Sequence, residues 1–405
     1  MVSLASTMGA LGGMRRLLVV AVLSLAALAP TFADAGETQL SSLVIAGHSR
    51  TLWSTTLQEQ RRVIVSLPQH YEQSKRSYPV LFLLDGDEQF LHVAGILQFL
   101  ASSWIERMPE MILVAIVNTD RSRDFLPATA KPEREGVHAA DKFLAFIANE
   151  LIPWTNAHYR AAPYRVLAGH SDGGLFTAFA FANRPDAFQA YFAMSPALNG
   201  DAVVTAKLEQ NLRSLRQAPP LFLSWSGTDY GIRTATEALI AKLQANPVQG
   251  RWTHREYPQD THASTIHRAI YDGLEWLFEG WTLSNPLQVG AFEPTVAEID
   301  AHYASLSKRF GFTVTPPPSV MHRAAQALWK KKDVEGALAA WRRSATDYPY
   351  LPETHAQLAR MLEQAGRVDE ARQAYERALS ASSSAGSAYD DADRYREALR
   401  RLQPF

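Results

Sequence analysis

The residue best suited to covalent chemistry is a serine in the hexapeptide GHSDGG at positions 169–174. A short apolar run precedes the hexapeptide, and small and apolar residues continue after it until Pro185. This pattern predicts a strand, a tight turn and a helix, with a Gly-x-Ser-x-Gly motif in the turn. Such a strained turn exposes the serine hydroxyl, and the free N–H groups of the following helix face the negative charge that develops. We predict that Ser171 is a nucleophile for acyl transfer; a chance match in a glycine-rich turn is the alternative.

A serine nucleophile requires a general base and an acidic residue that orients the base. With this motif, the order along the chain is serine, acid, histidine. The acid is expected just beyond the next-to-last strand, and Asp229 lies in the turn that follows the apolar run at 221–225. Asp229 is therefore the predicted acid. Asp260 is its nearest rival, because an aspartate in a polar turn also has a purely structural explanation.

The histidine is expected in the loop after the last strand, where it takes the serine proton and returns it to the leaving group. His262 occupies such a loop, in the segment PQDTHAS at 258–264. His254 falls within the preceding strand pattern, His267 within the following helix, and His302 beyond this part of the chain. The order and the loop together predict His262 as the general base.

Two backbone N–H groups must also bind the oxyanion that forms on the substrate. One is expected from Asp172, directly after the nucleophile, and the other from Asp87, which follows the apolar run at 78–84. The side chains of these two residues are not needed for this role. The predicted chemistry requires neither a metal ion nor a cofactor.

The segments that must position these residues alternate between strand and helix patterns from residue 36 to residue 284. Near-continuous apolar runs are typical of strands buried on both faces. They lie at 61–67, 78–84, 111–117, 164–168, 190–194 and 221–225, and a last strand is predicted near 253–257. Helical patterns include 142–152 and 266–278. This alternation predicts an α/β fold with a doubly wound, mostly parallel sheet that binds its ligand beyond the carboxyl ends of the strands.

Several motifs of this region resemble one family. They are YPVLFLLDG at 78–86, NTDRSRDFLP at 118–127, AGHSDGG at 168–174, SPAL at 195–198 and HAS at 262–264. In this order they resemble the putative esterase (esterase D) family of α/β-hydrolases, which includes enterochelin-type siderophore esterases. The resemblance covers Arg62 to Phe278 and implies a serine esterase with Ser171 as nucleophile and His262 as base.

The segment at 118–127 follows a predicted strand end, so it should border the substrate crevice. Arg121 and Arg123 are its candidate substrate-binding residues, because a guanidinium pairs well with a carboxylate. The alternative, which we favour, is that these arginines pair locally with Asp120 or Asp124 and hold the loop.

The composition fits a globular enzyme and excludes several other classes. The formal net charge of -1, without any basic arm or charge run, argues against a nucleic-acid partner. The chain has no cysteine, which excludes disulfides and thiolate catalysis. Residues 1–35 combine a basic start, a short apolar run and a small-residue cleavage site, which together predict a secretory signal peptide. We expect an exported, periplasmic or secreted protein that lacks a stable membrane span.

Beyond the predicted enzyme domain the pattern changes. Residues 285–318 contain scattered prolines and are predicted to form a stiff linker. Residues 319–405 contain a repeat, because DVEGALAAW at 333–341 aligns with RVDEARQAY at 367–375 at an offset of 34 residues. This period resembles tetratricopeptide repeats, so we predict a small all-α domain. It either binds a protein partner or packs as a structural cap.

Two classes of function remain open at this stage. The first is an exported serine hydrolase that cleaves a small-molecule ester, such as a siderophore or sugar ester, with acyl transfer to another acceptor as a variant. The second is a repeat-bearing binding protein whose hydrolase domain is inactive. Ser171, His262 and the surrounding glycines are all present together, which favours the first class.

Overall fold

The computed structural model describes residues 46–129, 138–245, 248, 250–283, 293–385 and 391–403. In these ranges the strands form one eight-stranded sheet with the order β1-β2-β4-β3-β5-β6-β7-β8. The strands are β1 His48–Ser54, β2 Glu59–Ser66, β3 Tyr78–Leu83, β4 Ile112–Ile116, β5 Ala161–His170, β6 Ala190–Met194, β7 Leu221–Ser226 and β8 Trp252–Tyr257. The first two strands are antiparallel to their neighbours, and β3 to β8 are parallel. The predicted mostly parallel sheet is confirmed.

The apolar runs form the central strands of the sheet, which helices cover on both faces. Every residue of β3, β4, β6 and β7 is buried. In contrast, β1 was not predicted. Most of its residues are exposed, and its sequence HSRTLWS has neither an apolar run nor a clear alternation. It is held at the sheet edge by antiparallel pairing with β2, the next strand along the chain, and this pairing compensates for its weak strand pattern.

Helices cover both faces of the sheet. They are α1 Gly86–Ala101, α2 Arg121–Phe125, α3 Ala140–Phe146, α4 Ile152–His158, α5 Asp172–Asn183, α6 Ala202–Ser214, α7 Tyr230–Ala245 and α8 Thr265–Leu277. The apolar faces of α1 and α8 share one core with one side of the strands. Those of α3, α5, α6 and α7 share a second core with the other side. The sheet is thus doubly wound. The helix predicted over 142–152 is interrupted by a π-helical turn, Ile147–Leu151, between α3 and α4.

Six further helices follow, namely α9 Val296–Phe310, α10 Pro318–Lys330, α11 Val334–Asp347, α12 Pro352–Gln364, α13 Val368–Ala385 and α14 Ala392–Arg401, counted over the described residues. The predicted period is visible in their positions. Helices α10 and α12 begin 34 residues apart, as do α11 and α13. The aligned aromatic residues Trp341 and Tyr375 are both buried and belong to the same apolar core.

The segment predicted as a linker contains a packed helix. Thr295 and Glu298 form a capping box at the start of α9, and Gly311 ends it with a φ of 72°. Phe310 packs against Tyr164 and Phe278, with ring centroids 5.1 and 5.2 Å away. The described residues from 46 onward belong to one compact unit, and the C-terminal helices extend the core that lies under α1 and α8.

The predicted signal peptide at 1–35 lies outside the described residues. In the part of the chain that the structure describes, none of the helices combines the length and the apolar character needed to cross a membrane.

Candidate active site

Ser171 lies between the end of β5 and the start of α5, with a φ of 61° and a ψ of -120°. The chain can turn this sharply only where neighbouring residues lack side chains. A Cβ on Gly169 would lie 2.3 Å from the carbonyl oxygen of Gly173, and one on Gly174 would lie 2.6 Å from that of Met194. The strand, the strained turn and the helix are where the Gly-x-Ser-x-Gly pattern predicts them.

The structure brings Ser171, His262 and Asp229 into one hydrogen-bonded chain, although 91 residues separate the first two. His262 Nε2 lies 2.9 Å from Ser171 Oγ, and His262 Nδ1 lies 2.5 Å from Asp229 Oδ1. A neutral imidazole with its proton on Nδ1 would donate to Asp229 and accept the serine proton at Nε2. The arrangement can therefore perform general-base activation of Ser171.

Asp229 is held as an anion in a buried setting. Its side chain is 0% exposed, and Asp229 Oδ2 accepts the N–H of Ser226 at 2.6 Å. Burial by itself would raise the pKa of Asp229. The hydrogen bonds from His262 and the Ser226 backbone, with the nearby Ser195 hydroxyl, outweigh burial and lower this pKa to about 2. Asp229 therefore stays ionised across the neutral range and fixes the orientation of the imidazole.

The loop that carries His262 is tied to the loop that carries Asp229. The N–H of His262 donates to Thr228 Oγ1 at 2.9 Å, and the N–H of Gly227 donates to the carbonyl oxygen of Tyr257 at 3.0 Å. A Cβ on Gly227 would lie 2.2 Å from the carbonyl oxygen of Pro258, so the two loops need glycine at this contact. The rival acid Asp260 accepts a hydrogen bond from Ser264 Oγ at 3.0 Å within its own loop.

The other histidine candidates take structural positions. His254 lies on β8 and stacks on Trp225, with ring centroids 5.4 Å apart. His267 lies on α8, where its Nδ1 is 3.3 Å from Nδ1 of His92 on α1. His302 lies on α9, where its Nε2 is 3.1 Å from the carbonyl oxygen of Trp281.

Two helix N-termini meet beside Ser171. Helix α5 begins at Asp172 and α1 begins at Gly86, so the N–H groups of Asp172 and Asp87 belong to first turns, which lack acceptors within their own helices. A Cβ on Gly86 would lie 2.7 Å from the carbonyl carbon of Ala115, so glycine lets α1 start directly against the end of β4. That these two N–H groups bind the oxyanion remains a prediction.

Arg121 lies at the end of the sheet beside these two helix starts. Its Nε donates to Asp85 Oδ1 at 2.7 Å, its Nη2 to Asp85 Oδ2 at 3.1 Å, and its Nη1 to Asp172 Oδ2 at 3.3 Å. The partners are neither Asp120 nor Asp124. The sequence pattern could not find them, because Asp85 and Asp172 are 36 and 51 residues away along the chain.

Arg123 is fully engaged by carboxylates of the chain itself. Its Nη1 and Nη2 donate to the two oxygens of Glu59 at 3.0 and 2.6 Å, and its Nε donates to Asp124 at 2.8 Å. The buried Arg61 shares the same two carboxylates. The pair with Asp124 is the local pairing that the sequence analysis favoured over substrate binding. Both edges of the Arg123 guanidinium that could form a two-point pair with a substrate carboxylate are already occupied.

His170 is a site residue that sequence reasoning missed. It precedes the nucleophile, is only 8% exposed, and its ring lies 4.5 Å from that of His262, centroid to centroid. Burial, together with the neighbouring His262, lowers the pKa of His170 to about 4. At neutral pH, His170 therefore places an uncharged ring beside the proposed base His262. Nothing in its position within GHSDGG indicated this contact, which depends on the return of the His262 loop.

The described residues contain no group of three or more His, Asp or Glu side chains arranged to hold a metal ion. The geometry fits acyl transfer that is carried out by groups of the protein itself. These groups are a nucleophile, a base, an oriented acid and two helix N-termini.

Comparison with known proteins finds relatives that are named as esterases. The Putative esterase family model matches residues 54–272. A siderophore triacetylfusarinine C esterase of Aspergillus fumigatus is 26% identical over 258 residues, and the match covers 54% of this chain and 88% of that protein. A ferri-bacillibactin esterase of Bacillus subtilis is 29% identical over 161 residues, and the match covers 34% of this chain and 54% of that protein.

Among solved structures, an IroE-like serine hydrolase from Shewanella oneidensis is similar, with a TM-score of 0.61 and 29% sequence identity. The match covers 72% of this chain and 96% of that one.

Proposed function

The chain belongs to the Putative esterase family and is a carboxylic ester hydrolase, and we propose that it cleaves a siderophore ester through Ser171, His262 and Asp229. One observation carries the mechanism, which is the continuous hydrogen-bonded chain from Ser171 Oγ through His262 to the buried Asp229. Such a chain matches the requirement for a serine nucleophile that works at neutral pH.

In the first half of the reaction, His262 Nε2 takes the Ser171 proton while Ser171 Oγ attacks the ester carbonyl carbon. The carbonyl electrons move onto the oxygen, and the N–H groups of Asp172 and Asp87 bind this oxyanion. The tetrahedral intermediate then collapses. The bond from carbon to the alcohol oxygen breaks, His262 donates its proton to the leaving alcohol, and an acyl group remains on Ser171.

In the second half, water replaces the alcohol. His262 takes a proton from the water as it attacks the acyl carbon, and the second tetrahedral intermediate releases the carboxylic acid and returns the proton to Ser171 Oγ. Asp229 keeps the imidazole in the required tautomer in both halves. Transfer to another alcohol instead of water would use the same intermediate, so product analysis separates hydrolysis from acyl transfer.

The substrate class rests on the relatives. Two relatives whose names specify a substrate act on siderophores, one on triacetylfusarinine C and one on ferri-bacillibactin. A siderophore ester is therefore the proposed substrate, with a sugar ester as the alternative from the same fold. The proposal includes export, which is supported by the signal-peptide pattern in residues 1–35.

The proposal is tested with the wild-type protein and Ser171→Ala on p-nitrophenyl acetate, iron-loaded triacetylfusarinine C, iron-loaded bacillibactin and an acetylated xylan oligomer. We expect the wild type to cleave at least one siderophore with a higher kcat/KM than the sugar ester. Ser171→Ala should lose several powers of ten in kcat while its circular dichroism spectrum is unchanged. Near-normal turnover by Ser171→Ala would refute the mechanism, and a preference for the sugar ester would refute the substrate class.

A further inference from the structure

We propose that Arg121 is a positioning residue that holds the two backbone donors of the oxyanion site in place. The inference rests on the proposed function, because it assigns a role within the oxyanion site of that mechanism. It is carried by a bridge between two helix starts, in which one guanidinium contacts the residue before α1 and the first residue of α5.

The first end of the bridge fixes α1. Asp85 immediately precedes α1, where its φ of 54° places it in the left-handed region, an uncommon conformation for a residue with a side chain. Its carboxylate is 5% exposed and takes two hydrogen bonds from Arg121 and one, at 2.8 Å, from Asn118 Nδ2. The N–H of Asp87 lies two residues further along. A change in the conformation of Asp85 would therefore move that donor directly.

The second end of the bridge fixes the nucleophile turn. Nη1 of Arg121 reaches Asp172, whose own N–H is the other predicted donor. Nη2 lies 3.4 Å from the carbonyl oxygen of His170, on the other side of Ser171. The guanidinium also packs over the ring of Phe125 at 5.2 Å, which restricts its orientation. One rigid group thus spans both segments that must converge on the oxyanion.

The charge balance gives the bridge a second effect. Four carboxylates, those of Asp85, Asp87, Glu88 and Asp172, lie on the residues around the two donors. A developing oxyanion is disfavoured by nearby negative charge, and Arg121 pairs with two of the four. Removing its positive charge would disfavour the transition state more than the bound neutral ester. The expected effect is therefore on kcat rather than on KM.

The same contacts argue against Arg121 as the main substrate contact. Its Nε and Nη2 form a two-point pair with Asp85, which is the geometry that a substrate carboxylate would need. Lysine carries the charge on a single point and lacks this fork. Arg121→Lys is therefore expected to retain the charge and lose the simultaneous contact with Asp85 and Asp172.

The test compares the wild type, Arg121→Lys and Arg121→Gln in the full-length protein. Arg184→Gln is the matched control, because Arg184 forms a similar two-point pair with Asp186 at the opposite end of α5. Kinetics are measured on p-nitrophenyl acetate and on the anionic p-nitrophenyl hemisuccinate. Affinity for an aryl trifluoromethyl ketone, whose adduct with Ser171 carries an oxyanion, is measured in parallel.

We expect Arg121→Gln to lower kcat on both esters by about 10- to 100-fold, below the loss for a deleted oxyanion donor, with KM within about threefold. Arg121→Lys should fall between it and the wild type. Affinity for the trifluoromethyl ketone should fall by the same factor as kcat/KM. Arg184→Gln should match the wild type in all three measurements.

The inference is overturned if the loss is confined to KM of the anionic ester, which would make Arg121 a substrate contact. It is also overturned if kcat falls while ketone affinity is unchanged. If Arg121→Gln does not fold, Arg121→Lys decides by the same criteria. Failure of the proposed function looks different, because the wild type itself would then not hydrolyse the esters and would not bind the ketone.

Discussion

At the scale of single residues, the account depends on Asp229, which the sequence indicated only through chain order. Its burial and its hydrogen bonds from His262 and the Ser226 backbone fit an ionised group that orients His262. Asp229→Asn keeps the shape of the side chain, but its amide N–H can donate to Nδ1 of His262. It would therefore stabilise the tautomer that has its proton on Nε2, which cannot accept the proton of Ser171. We expect kcat to fall by about 10⁴-fold with little change in KM, measured on p-nitrophenyl acetate. A loss of less than tenfold would mean that His262 does not need this partner.

His170 gives a prediction about the pH dependence of stability. Its pKa is lowered from 6.5 to about 4 in the fold, mainly by burial and also by His262, against the opposing charges of Asp229 and Asp85. Between these values the unfolded chain binds a proton that the folded chain does not. The free energy of unfolding must therefore decrease as the pH falls from about 6.5 to about 4.

We expect His170→Gln to show a shallower decrease than the wild type over that interval, by up to about 1.4 kcal/mol per pH unit. Urea unfolding at a series of pH values measures the difference, in which the contributions of the other titrating groups cancel. Parallel curves for the two proteins would show that His170 titrates alike in the folded and unfolded states.

The sequence also predicted Ser171 and His262 as partners, because a strained turn and a loop after the last strand are local features, and the structure places the two side chains in hydrogen-bond contact. The Arg121 bridge could not be predicted from the sequence. Asp85 looked like the end of a strand, and Asp172 was considered only for its backbone N–H. Which carboxylates an arginine meets depends on how two helix starts converge, and no local spacing encodes that.

At the scale of elements, alanine substitutions at two glycines separate the effect of close backbone packing from the effect of helix propensity on stability. Gly174 faces the backbone of Met194 and Pro196 at 2.6 and 2.9 Å from an added Cβ, whereas Gly95, inside α1, faces open space. We expect Gly174→Ala to lose most activity and several degrees in Tm, because the backbone of the nucleophile turn must shift. Gly95→Ala should raise the free energy of unfolding by about 0.5–1 kcal/mol without changing kcat.

Thermal unfolding and ester kinetics of the two variants give the comparison. Equal effects of the two alanines would contradict the close approach of β6 and α5 on which the turn geometry depends.

Buried strands were predicted because continuous apolar runs are a strong signal, and β6 was placed at its observed residues, 190–194. The edge strand β1 and helix α9 were missed for different reasons. The residues of β1 have no pattern of their own. Helix α9 did have readable signals, a threonine and a glutamate three residues apart at its start and a glycine after its end. The surrounding prolines and the change in composition outweighed them.

At the scale of the whole molecule, the C-terminal helices share a core with the enzyme part but contribute no residue to the triad. Besides the rings around Phe310, Arg76 donates to Glu110 at 2.8 Å and to the hydroxyl of Tyr350 at 2.6 Å. Ser319 donates to Glu106 at 2.6 Å. The helices therefore stabilise the face of the sheet that carries α1 and α8.

A chain that ends at Ser284 should keep its chemistry and lose stability. All the proposed catalytic groups lie between Asp87 and His262, whereas the cut exposes the apolar surface that α9 covers. We expect kcat per active site on p-nitrophenyl acetate within about threefold of the full chain, and a Tm at least about 10 °C lower. A folded truncated chain that has lost a hundredfold in kcat would place the helices in the active site.

In the proposed mechanism Ser171 is the nucleophile, and His262 activates it. The most direct measurement is the stoichiometry and position of labelling by an aryl phosphonate ester. The nucleophilic serine oxygen attacks its phosphorus and expels the aryloxide, which leaves a stable phosphonyl adduct on the serine. We expect one phosphonyl group per chain, located on Ser171 by peptide mass spectrometry, with loss of esterase activity in the same proportion. His262→Ala should slow the labelling by several powers of ten. Inactivation with Ser171 unmodified, or equal labelling rates with and without His262, would contradict it.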